Sequence, residues 1–372
     1  MKKNPVRVLV VDDSALMRKL IPQILETDNS IQVVGTAMDG NFGLKKIDEL
    51  KPQVITLDLE MPGMGGLDML KEIMRRHRIP VIVVSSHSTE GASVTLKALS
   101  LGAFDFVSKP SDVSSRMPEV AQELISKIKA AAQSRGIPIH AATDFPVPVP
   151  RPKGKPGEKR APTKIVAIGI STGGPQSLQY LLAQLPADFP GSIVVVQHMP
   201  EGFTEMFARR LDECCSLNVK EAQSGDLLLA GRVLICPGSR HIKVKRLPLG
   251  DVVVLTDDTR VHGHRPSADV LFKSVAEEFG SRGIAVLMTG MGDDGAEGMG
   301  YVKAAGGMTI AQSEDSCVVF GMPKAAIDRG YVVRIVSLDA LANTLQAQCA
   351  PERGHDQKPE NGGGRAAGAG RV

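Results

Sequence analysis

Residues 6–13 read VRVLVVDD, residues 31–38 read IQVVGTAM and residues 54–60 read VITLDLE, with helix-length segments between them. Two more runs of this kind follow, VIVVSS at 81–86 and FDFVSKP at 104–110. Short apolar runs that alternate with helical segments predict buried parallel strands, joined by right-handed crossovers and covered by helices on both faces. We therefore expect a doubly wound α/β domain over residues 1–130.

The same alternation returns in the second half of the chain. Its apolar runs are KIVAIGI (164–170), SIVVVQH (192–198), RVLIC (232–236), IAVLMT (284–289), MTIAQ (308–312) and YVVRIV (331–336). One segment breaks the pattern: KVKRLPLGDVVVL at 243–255 places Leu-Pro-Leu-Gly between two alternating runs, which is typical of an antiparallel hairpin. We expect a second doubly wound parallel-sheet domain, Rossmann-like and carrying this hairpin, over residues 164–350.

A Pro/Gly/Lys-rich linker is predicted between the two domains, over residues 131–163. Its stretch IPIHAATDFPVPVPRPKGKPGEKRAP has neither a helical nor a strand period, so it cannot bury apolar surface and should be extended. The last residues, 351–372, end in GGGRAAGAGRV and are predicted to be a disordered tail.

Charge and cysteine content narrow the function classes. The 372 residues include 44 Lys plus Arg against 41 Asp plus Glu, a net charge of +3, whereas a nucleic-acid-binding face usually leaves a strong basic excess. Five cysteines without a CxxC pair indicate reduced thiols (Cys214, Cys215, Cys236, Cys317 and Cys349). With no signal-like or membrane-spanning run, we expect a cytoplasmic protein that does not insert into a membrane or bind nucleic acid.

Polar residues gather where the strands of the first block end. Asp12 and Asp13 follow the first strand, Asp58 the third, Ser85 the fourth and Lys109 the fifth. Because ligands bind beyond the carboxyl ends of such strands, the three acids should converge, and Mg²⁺ would relieve their repulsion. A single strand-end Asp is more often a helix N-cap, but five such positions favour a site where a phosphoryl group on Asp58 is neutralised.

With these residues, positions 6–130 resemble a response-regulator receiver domain, which is flavodoxin-like; LEMPGM at 59–64 matches the loop after its phosphoacceptor. The resemblance implies phosphorylation of Asp58 by a chemotaxis histidine kinase, with Mg²⁺ as cofactor. It also implies the remaining roles: Asp12 and Asp13 with Asp58 as metal ligands, Ser85 as switch hydroxyl and Lys109 as invariant lysine.

A serine, a histidine and two aspartates mark strand ends in the second block. Ser171 lies in GISTGG at 169–174, where glycines at a strand-to-helix turn can expose the hydroxyl and the helix start offers N–H donors to an oxyanion. The hydroxyl needs a base, and His198 ends the next strand. Asp293 and Asp294 follow a third strand, and either could orient the imidazole.

Other interpretations compete for these glycine turns. A glycine-rich turn after a strand is more often a plain connection or a phosphate loop, and a strand-end histidine is often only a polar rim residue. GMGDDG at 290–295 fits the dinucleotide fingerprint, but its two aspartates would repel a pyrophosphate. Pro175 stands where a P-loop requires lysine.

His262-x-His264 could chelate a metal. Because no cysteine or acidic partner is evident nearby, a loop lining the active site is the preferred interpretation.

Residues 164–350 resemble the catalytic domain of chemotaxis protein-glutamate methylesterases. The segments that carry the resemblance are GISTGGP, VVVQHMPEGFT, HRPSADVLF and LMTGMGDDGAEGM. It implies a triad of Ser171, His198 and Asp294, with backbone donors to the oxyanion near Thr172 and Met291. The implied reaction is hydrolysis of γ-glutamyl methyl esters on methyl-accepting chemoreceptors, without a cofactor; deamidation of receptor glutamines is left open.

Two other functions remain as alternatives. One is a response regulator whose second domain only binds a partner, and the other is a nucleotide-dependent enzyme. For the methylesterase, the domain pairing suggests that the unphosphorylated receiver docks over the strand ends bearing Ser171 and that phosphorylation of Asp58 loosens it.

Overall fold

The computed structural model describes residues 4–86, 88–109, 117–134 and 160–351. Most of the predicted linker and all but the first residue of the predicted tail lie outside these ranges. Within them, no helix combines the length and the apolar character needed to cross a bilayer.

The first sheet has five parallel strands in the order β2-β1-β3-β4-β5, the flavodoxin-like order. Its elements are β1 (Val6–Val11), α1 (Ala15–Leu25), β2 (Ile31–Ala37), α2 (Gly40–Leu50), β3 (Val54–Leu57), α3 (Gly66–Arg76), β4 (Val81–Ser85), α4 (Thr89–Ser100), β5 (Asp105–Ser108) and α5 (Met117–Gln133). Every residue of β3 and β4 is buried, as expected for strands covered on both faces. Val11 of β1 pairs with Leu57 of β3, so Asp12 and Asp58 leave the sheet side by side.

The second sheet has seven strands in the order β14-β13-β12-β6-β7-β9-β8, all parallel. Its region comprises β6 (Ile165–Ile170), α6 (Gly174–Ala183), β7 (Ser192–Gln197), α7 (Phe203–Cys214), β8 (Asn218–Glu221), β9 (Arg232–Ile235), β10 (His241–Lys245), β11 (Val252–Thr256), α8 (Ala268–Phe279), β12 (Gly283–Leu287), α9 (Ala296–Ala304), β13 (Met308–Gln312), α10 (Met322–Asp328), β14 (Arg334–Val336) and α11 (Leu338–Cys349). Strands β10 and β11 form a separate antiparallel pair. The predicted fold class, two doubly wound parallel sheets with one antiparallel hairpin, is confirmed.

Two details differ from the expected strands. Strand β8 was not expected, because its sequence NVKE is polar and lies at the sheet edge, where only Val219 is buried. The run at 331–336 contributes only its last three residues to β14, the opposite edge strand.

The chain path of the second sheet places a crevice beside β6. After β6 the chain builds the β7-β9-β8 side, and it then returns to add β12, β13 and β14 on the other side. Such a reversal is the switch point where open α/β sheets bind ligands. The register pairs Ile170 of β6 with Gln197 of β7, so Ser171 and His198 emerge next to each other.

The two sheet regions touch through their helices. Gln176 at the start of α6 donates from Nε2 to the carbonyl oxygens of Leu99 (2.8 Å) and Ala103 (3.1 Å). The Phe106 ring of β5 stacks on the Phe203 ring of α7, with centroids 4.8 Å apart. The α4–β5 face of the first region therefore lies against the two helices that follow Ser171 and His198.

Candidate active site

An acidic pocket forms at the carboxyl ends of β1 and β3. Lys109 Nζ lies 2.6 Å from Asp58 Oδ2 and 3.1 Å from Asp12 Oδ2. Burial raises the pKa of Asp12, against the opposing charge of Lys109. Asp12, Asp13 and Asp58 each offer an oxygen within 4.8 Å of the others, a donor set of the hard oxygen type that suits Mg²⁺.

The hydroxyl of Ser85 is buried near this pocket but is engaged elsewhere. It accepts a hydrogen bond from Thr95 Oγ1 at 2.6 Å and lies 3.3 Å from the Gly91 carbonyl oxygen. Among the described residues, no hydrogen bond joins Ser85 to Asp58. The structure therefore brings together the three acids and the lysine, while Ser85 is tied to α4.

The turn that carries Ser171 is held by close backbone packing. The Ser171 N–H donates to the Thr289 carbonyl at 3.0 Å, and Gln197 Nε2 donates to the Ser171 carbonyl at 3.0 Å. Gly290 is required by contact, because a Cβ there would lie 2.8 Å from the Cβ of Ser171. Gly173 is required by its φ of 72° and by Val318, whose Cβ would lie 2.5 Å from an added Cβ. The serine is thus fixed between two glycine turns.

Ser171, His198 and Asp294 lie in a line. His198 Nδ1 is 3.2 Å from Ser171 Oγ, and His198 Nε2 is 2.7 Å from Asp294 Oδ2. Because an ionised carboxylate can only accept, Nε2 carries the proton and the Nδ1 lone pair faces the serine hydroxyl. In the usual triad Nε2 faces the serine and Nδ1 faces the aspartate. The two ring nitrogens of His198 have the opposite partners here.

Asp294 is held by the start of α8. Its Oδ1 accepts from Ser267 Oγ at 2.6 Å and from the Asp269 N–H at 3.3 Å, and its Oδ2 accepts from the Ala268 N–H at 2.7 Å. Burial by itself would raise the pKa of Asp294, but the hydrogen bond and electrostatic attraction of His198, together with the hydrogen bonds from Ser267 and the Ala268 N–H, lower this pKa below its usual range. The carboxylate therefore stays ionised beside the imidazole.

The neighbouring Asp293 points elsewhere. Its carboxylate is half-exposed and pairs with Arg329 at 2.7 Å. The two adjacent aspartates, which the residue pattern alone left undecided, are thus separated by geometry.

His264 stacks on His198, with ring centroids 4.1 Å apart and planes within 6°. Burial lowers the pKa of His264 to about 4, and the neighbouring charge of His198 acts in the same direction. The His264 ring is therefore neutral at neutral pH and covers one face of His198. The loop that carries it lines the site.

Two backbone donors lie beside Ser171. Within the described residues, no acceptor takes the N–H of Thr172 or that of Met291. Thr172 follows Ser171 directly in the chain. Met291 follows Gly290, which packs against Ser171. Both groups remain available to a developing negative charge.

Comparison with known proteins gives a consistent result. Residues 166–345 match the family described as CheB methylesterase, and residues 8–120 match the response regulator receiver domain. The chain is 60% identical to protein-glutamate methylesterase/protein-glutamine glutaminase 2 of Koribacter versatilis (strain Ellin345), covering 95% of this chain and 99% of that protein. The chain belongs to the CheB methylesterase family.

Further similarities lie within the same family. A protein-glutamate methylesterase/protein-glutamine glutaminase of Symbiobacterium thermophilum is 44% identical, with 92% of this chain and 97% of that protein covered. The crystal structure of the Thermotoga maritima CheB methylesterase catalytic domain is 43% identical, with a TM-score of 0.49; it covers 50% of this chain and 97% of that one.

Family membership decides between the expected function classes. The chain is a carboxylic ester hydrolase of the CheB type with a receiver domain, and the alternative of a receiver joined to a non-catalytic binding domain is wrong.

Two residues of this CheB site were not expected from the strand ends. Ser267 binds Asp294, and His264 stacks on His198. Both belong to the segment HRPSADVLF, which leads into α8 and forms its first turn, instead of ending a parallel strand. The loop with His262 and His264 was expected to line the site, but nothing local in this segment indicated the stacking of His264 on His198 or the hydrogen bond from Ser267 to Asp294.

Proposed function

We propose that this chain hydrolyses γ-glutamyl methyl esters of chemoreceptors, with Ser171 as nucleophile, His198 as general base and Asp294 as the orienting carboxylate. The observation that carries the proposal is the continuous line of contacts from Ser171 Oγ through the imidazole to Asp294. A serine hydroxyl needs such a base to become an effective nucleophile.

The first half of the reaction forms an acyl-enzyme. His198 Nδ1 takes the hydroxyl proton as Ser171 Oγ attacks the ester carbonyl carbon. The N–H groups of Thr172 and Met291 stabilise the oxyanion. When the intermediate collapses, the C–O bond to the methoxy group breaks, and the proton on His198 leaves with it as methanol.

The second half regenerates the enzyme. Water gives a proton to His198 and attacks the acyl carbon, and the bond to Ser171 Oγ breaks as the serine recovers its proton. The product is a free glutamate side chain. The same steps with an amide would release ammonia, and the relatives' names include protein-glutamine glutaminase; we include this reaction in the proposal.

Control is proposed to run through the receiver, over residues 1–130. A chemotaxis histidine kinase would supply the phosphoryl group to Asp58. Asp12, Asp13 and Asp58 would hold Mg²⁺, which when bound neutralises phosphoryl charge, while Lys109 and the Ser85 hydroxyl complete the switch. Support for inhibition by the unphosphorylated receiver comes from the contacts of Gln176 and Phe106 across the helices that follow Ser171 and His198.

The remaining assignments concern the rest of the chain. We propose residues 131–163 as a linker, 164–350 as the catalytic domain and 351–372 as a tail. A cytoplasmic location is supported by the five cysteines, none of which forms a disulfide.

The direct test is Ser171→Ala, assayed by methanol release from methylated receptor. Loss of the nucleophile should lower kcat about 10⁶-fold. The exposed Ser281→Ala serves as the matched control and should retain full activity. Undiminished methanol release by Ser171→Ala would rule out the nucleophile assignment.

A further inference from the structure

The turn at residues 261–264 contains two histidines, His262 and His264, whose side chains have different surroundings. Val261 and His264 exchange backbone hydrogen bonds of 3.0 and 2.8 Å, and the residues between them, His262 and Gly263, have φ values of 49° and 80°. Positive φ at both central positions is typical of a type I′ turn and is uncommon for a residue with a side chain. His264 returns to stack on His198, whereas His262 stands at the tip with 47% of its side chain exposed.

Three metal-ligating side chains meet beside this tip. His262 Nε2 lies 3.7 Å from Asp269 Oδ2, and His262, Asp269 and Glu297 each offer a ligand atom within 4.8 Å of the other two. Asp269 is in the first turn of α8, and Glu297 is in the first turn of α9. The expectation that this histidine pair lacks an acidic partner is therefore wrong for His262, because folding brings two helix starts to it.

Asp269 gives an independent indication that a ligand belongs here. The residue is only 9% exposed, and its Oδ1 accepts the Gly298 N–H at 2.6 Å. Its Oδ2, the oxygen nearest His262, is buried and receives no hydrogen bond from any described residue. A buried carboxylate oxygen without a partner costs free energy, and a bound cation would supply that partner.

We propose that His262, Asp269 and Glu297 bind a divalent transition-metal ion of the zinc type. One imidazole nitrogen with two carboxylate oxygens suits Zn²⁺ or Mn²⁺, and three protein ligands leave positions for water. Mg²⁺ is a poorer fit, because it prefers an octahedral set of oxygens. The ion fastens the 261–264 turn to α8 and α9, and through that turn it holds the His264 ring against His198.

The test measures Zn²⁺ binding to the full chain without an affinity tag, by equilibrium dialysis. Excess Mg²⁺ is present so that the acids around Asp58 do not contribute. The variants are His262→Ala and Glu297→Gln, two exposed positions where loss of folding is not expected. Each variant removes one of the three ligands. We expect Zn²⁺ binding to weaken by at least about tenfold, because losing a group that only hydrogen-bonds to a metal ligand already lowers metal affinity by about that factor.

His77→Ala is the matched control. His77 Nε2 lies 3.9 Å from a single carboxylate, that of Asp48, so it should contribute nothing to the site. Zn²⁺ should also raise the Tm of the wild type and of His77→Ala, but not that of His262→Ala, because only a folded site binds the ion. Equal affinity in the wild type and both ligand variants would overturn the proposal, as would binding that only His77→Ala weakens.

Discussion

Asp58 and Asp294 are both nearly buried carboxylates that follow parallel strands, yet their surroundings differ. Asp294 accepts four hydrogen bonds, from His198, Ser267 and two backbone N–H groups at the start of α8. Asp58 accepts one from Lys109 Nζ at 2.6 Å and one from the Glu60 N–H at 3.2 Å. Asp294 is thus held by four donors, two of them backbone N–H groups at one helix start, whereas Asp58 has two donors, and the shorter hydrogen bond comes from the long side chain of Lys109.

This difference matches what each carboxylate is proposed to do. A group that orients an imidazole must keep its charge and position throughout the reaction, and fixed backbone donors hold both without reorganisation. A group that accepts a phosphoryl must be free to change partners, and a lysine can move from the carboxylate to the new phosphate oxygens. Rigidity therefore suits the catalytic region, and exchangeable contacts suit the switch.

Among the variants that test this comparison of the two carboxylates, Asp294→Asn is expected to have the largest effect. The variant loses the negative charge and replaces one acceptor oxygen by an NH2 donor, which favours the wrong His198 tautomer, so kcat for ester hydrolysis should fall about 10⁴-fold. Asp293→Asn is the adjacent control, and its rate should stay near that of the wild type. If Asp293→Asn were the inactive variant, the assignment of the orienting carboxylate would be reversed.

Asp58→Asn should remove the whole phosphorylation-dependent increase in activity. The amide cannot accept a phosphoryl group, while the triad is untouched, so hydrolysis without a phosphodonor should continue at the wild-type basal rate. The measurement is methanol release with and without a small-molecule phosphodonor, alongside phosphate incorporation. The exposed Asp48→Asn should behave as the wild type; activation that survives in Asp58→Asn would place the acceptor elsewhere.

Gln176→Ala tests whether contact between the two regions restrains the esterase. The variant loses two hydrogen bonds to receiver carbonyls, each contributing about 0.5–1.5 kcal/mol. Basal hydrolysis should therefore rise about fivefold or more, up to the rate of the phosphorylated enzyme. Gln184→Ala is the control, because the Nε2 of Gln184, at the end of α6, donates to the Tyr180 carbonyl of the same helix at 3.0 Å. An unchanged basal rate in Gln176→Ala would count against inhibition through this face.

The smallest effect is expected for His264→Phe, which keeps a ring on His198 but cannot titrate. The pKa of His264 is lowered to about 4 from an ordinary value of 6.5, so the unfolded chain binds more protons than the folded one between these pH values. Stability is therefore lost as pH falls from 6.5 towards 4. The full difference corresponds to about 3 kcal/mol, and partial exposure of the ring reduces this to about 1–2 kcal/mol.

Urea unfolding at pH 7 and pH 5 measures this difference. The wild type should lose more stability between the two pH values than His264→Phe. Equal losses in both proteins would show that the His264 ring does not titrate differently in the folded state.

Much of the architecture could be predicted from the sequence. Apolar runs such as VRVLVVDD and KIVAIGI predicted the two parallel sheets, because burial on both faces requires continuous hydrophobic strands. Strand ends are local features, so the positions of Asp58, Ser171 and His198 at the carboxyl edges also followed from the pattern. The edge strand β8 did not, since an edge tolerates polar residues such as those of NVKE.

Only the tertiary structure decided which side chains meet. The family resemblance implied Asp294, but the strand-end pattern left Asp293 and Asp294 equally possible, and it is the start of α8 that donates hydrogen bonds to the second. Other contacts depend on how loops and helices pack across the sheet. This packing places His198 Nδ1 near Ser171 and stacks His264 on His198. It also brings His262 close to Asp269 and Glu297. Hydrophobic periodicity determines where an element begins and ends, but it carries no information on the contacts between residues distant in sequence that complete a site.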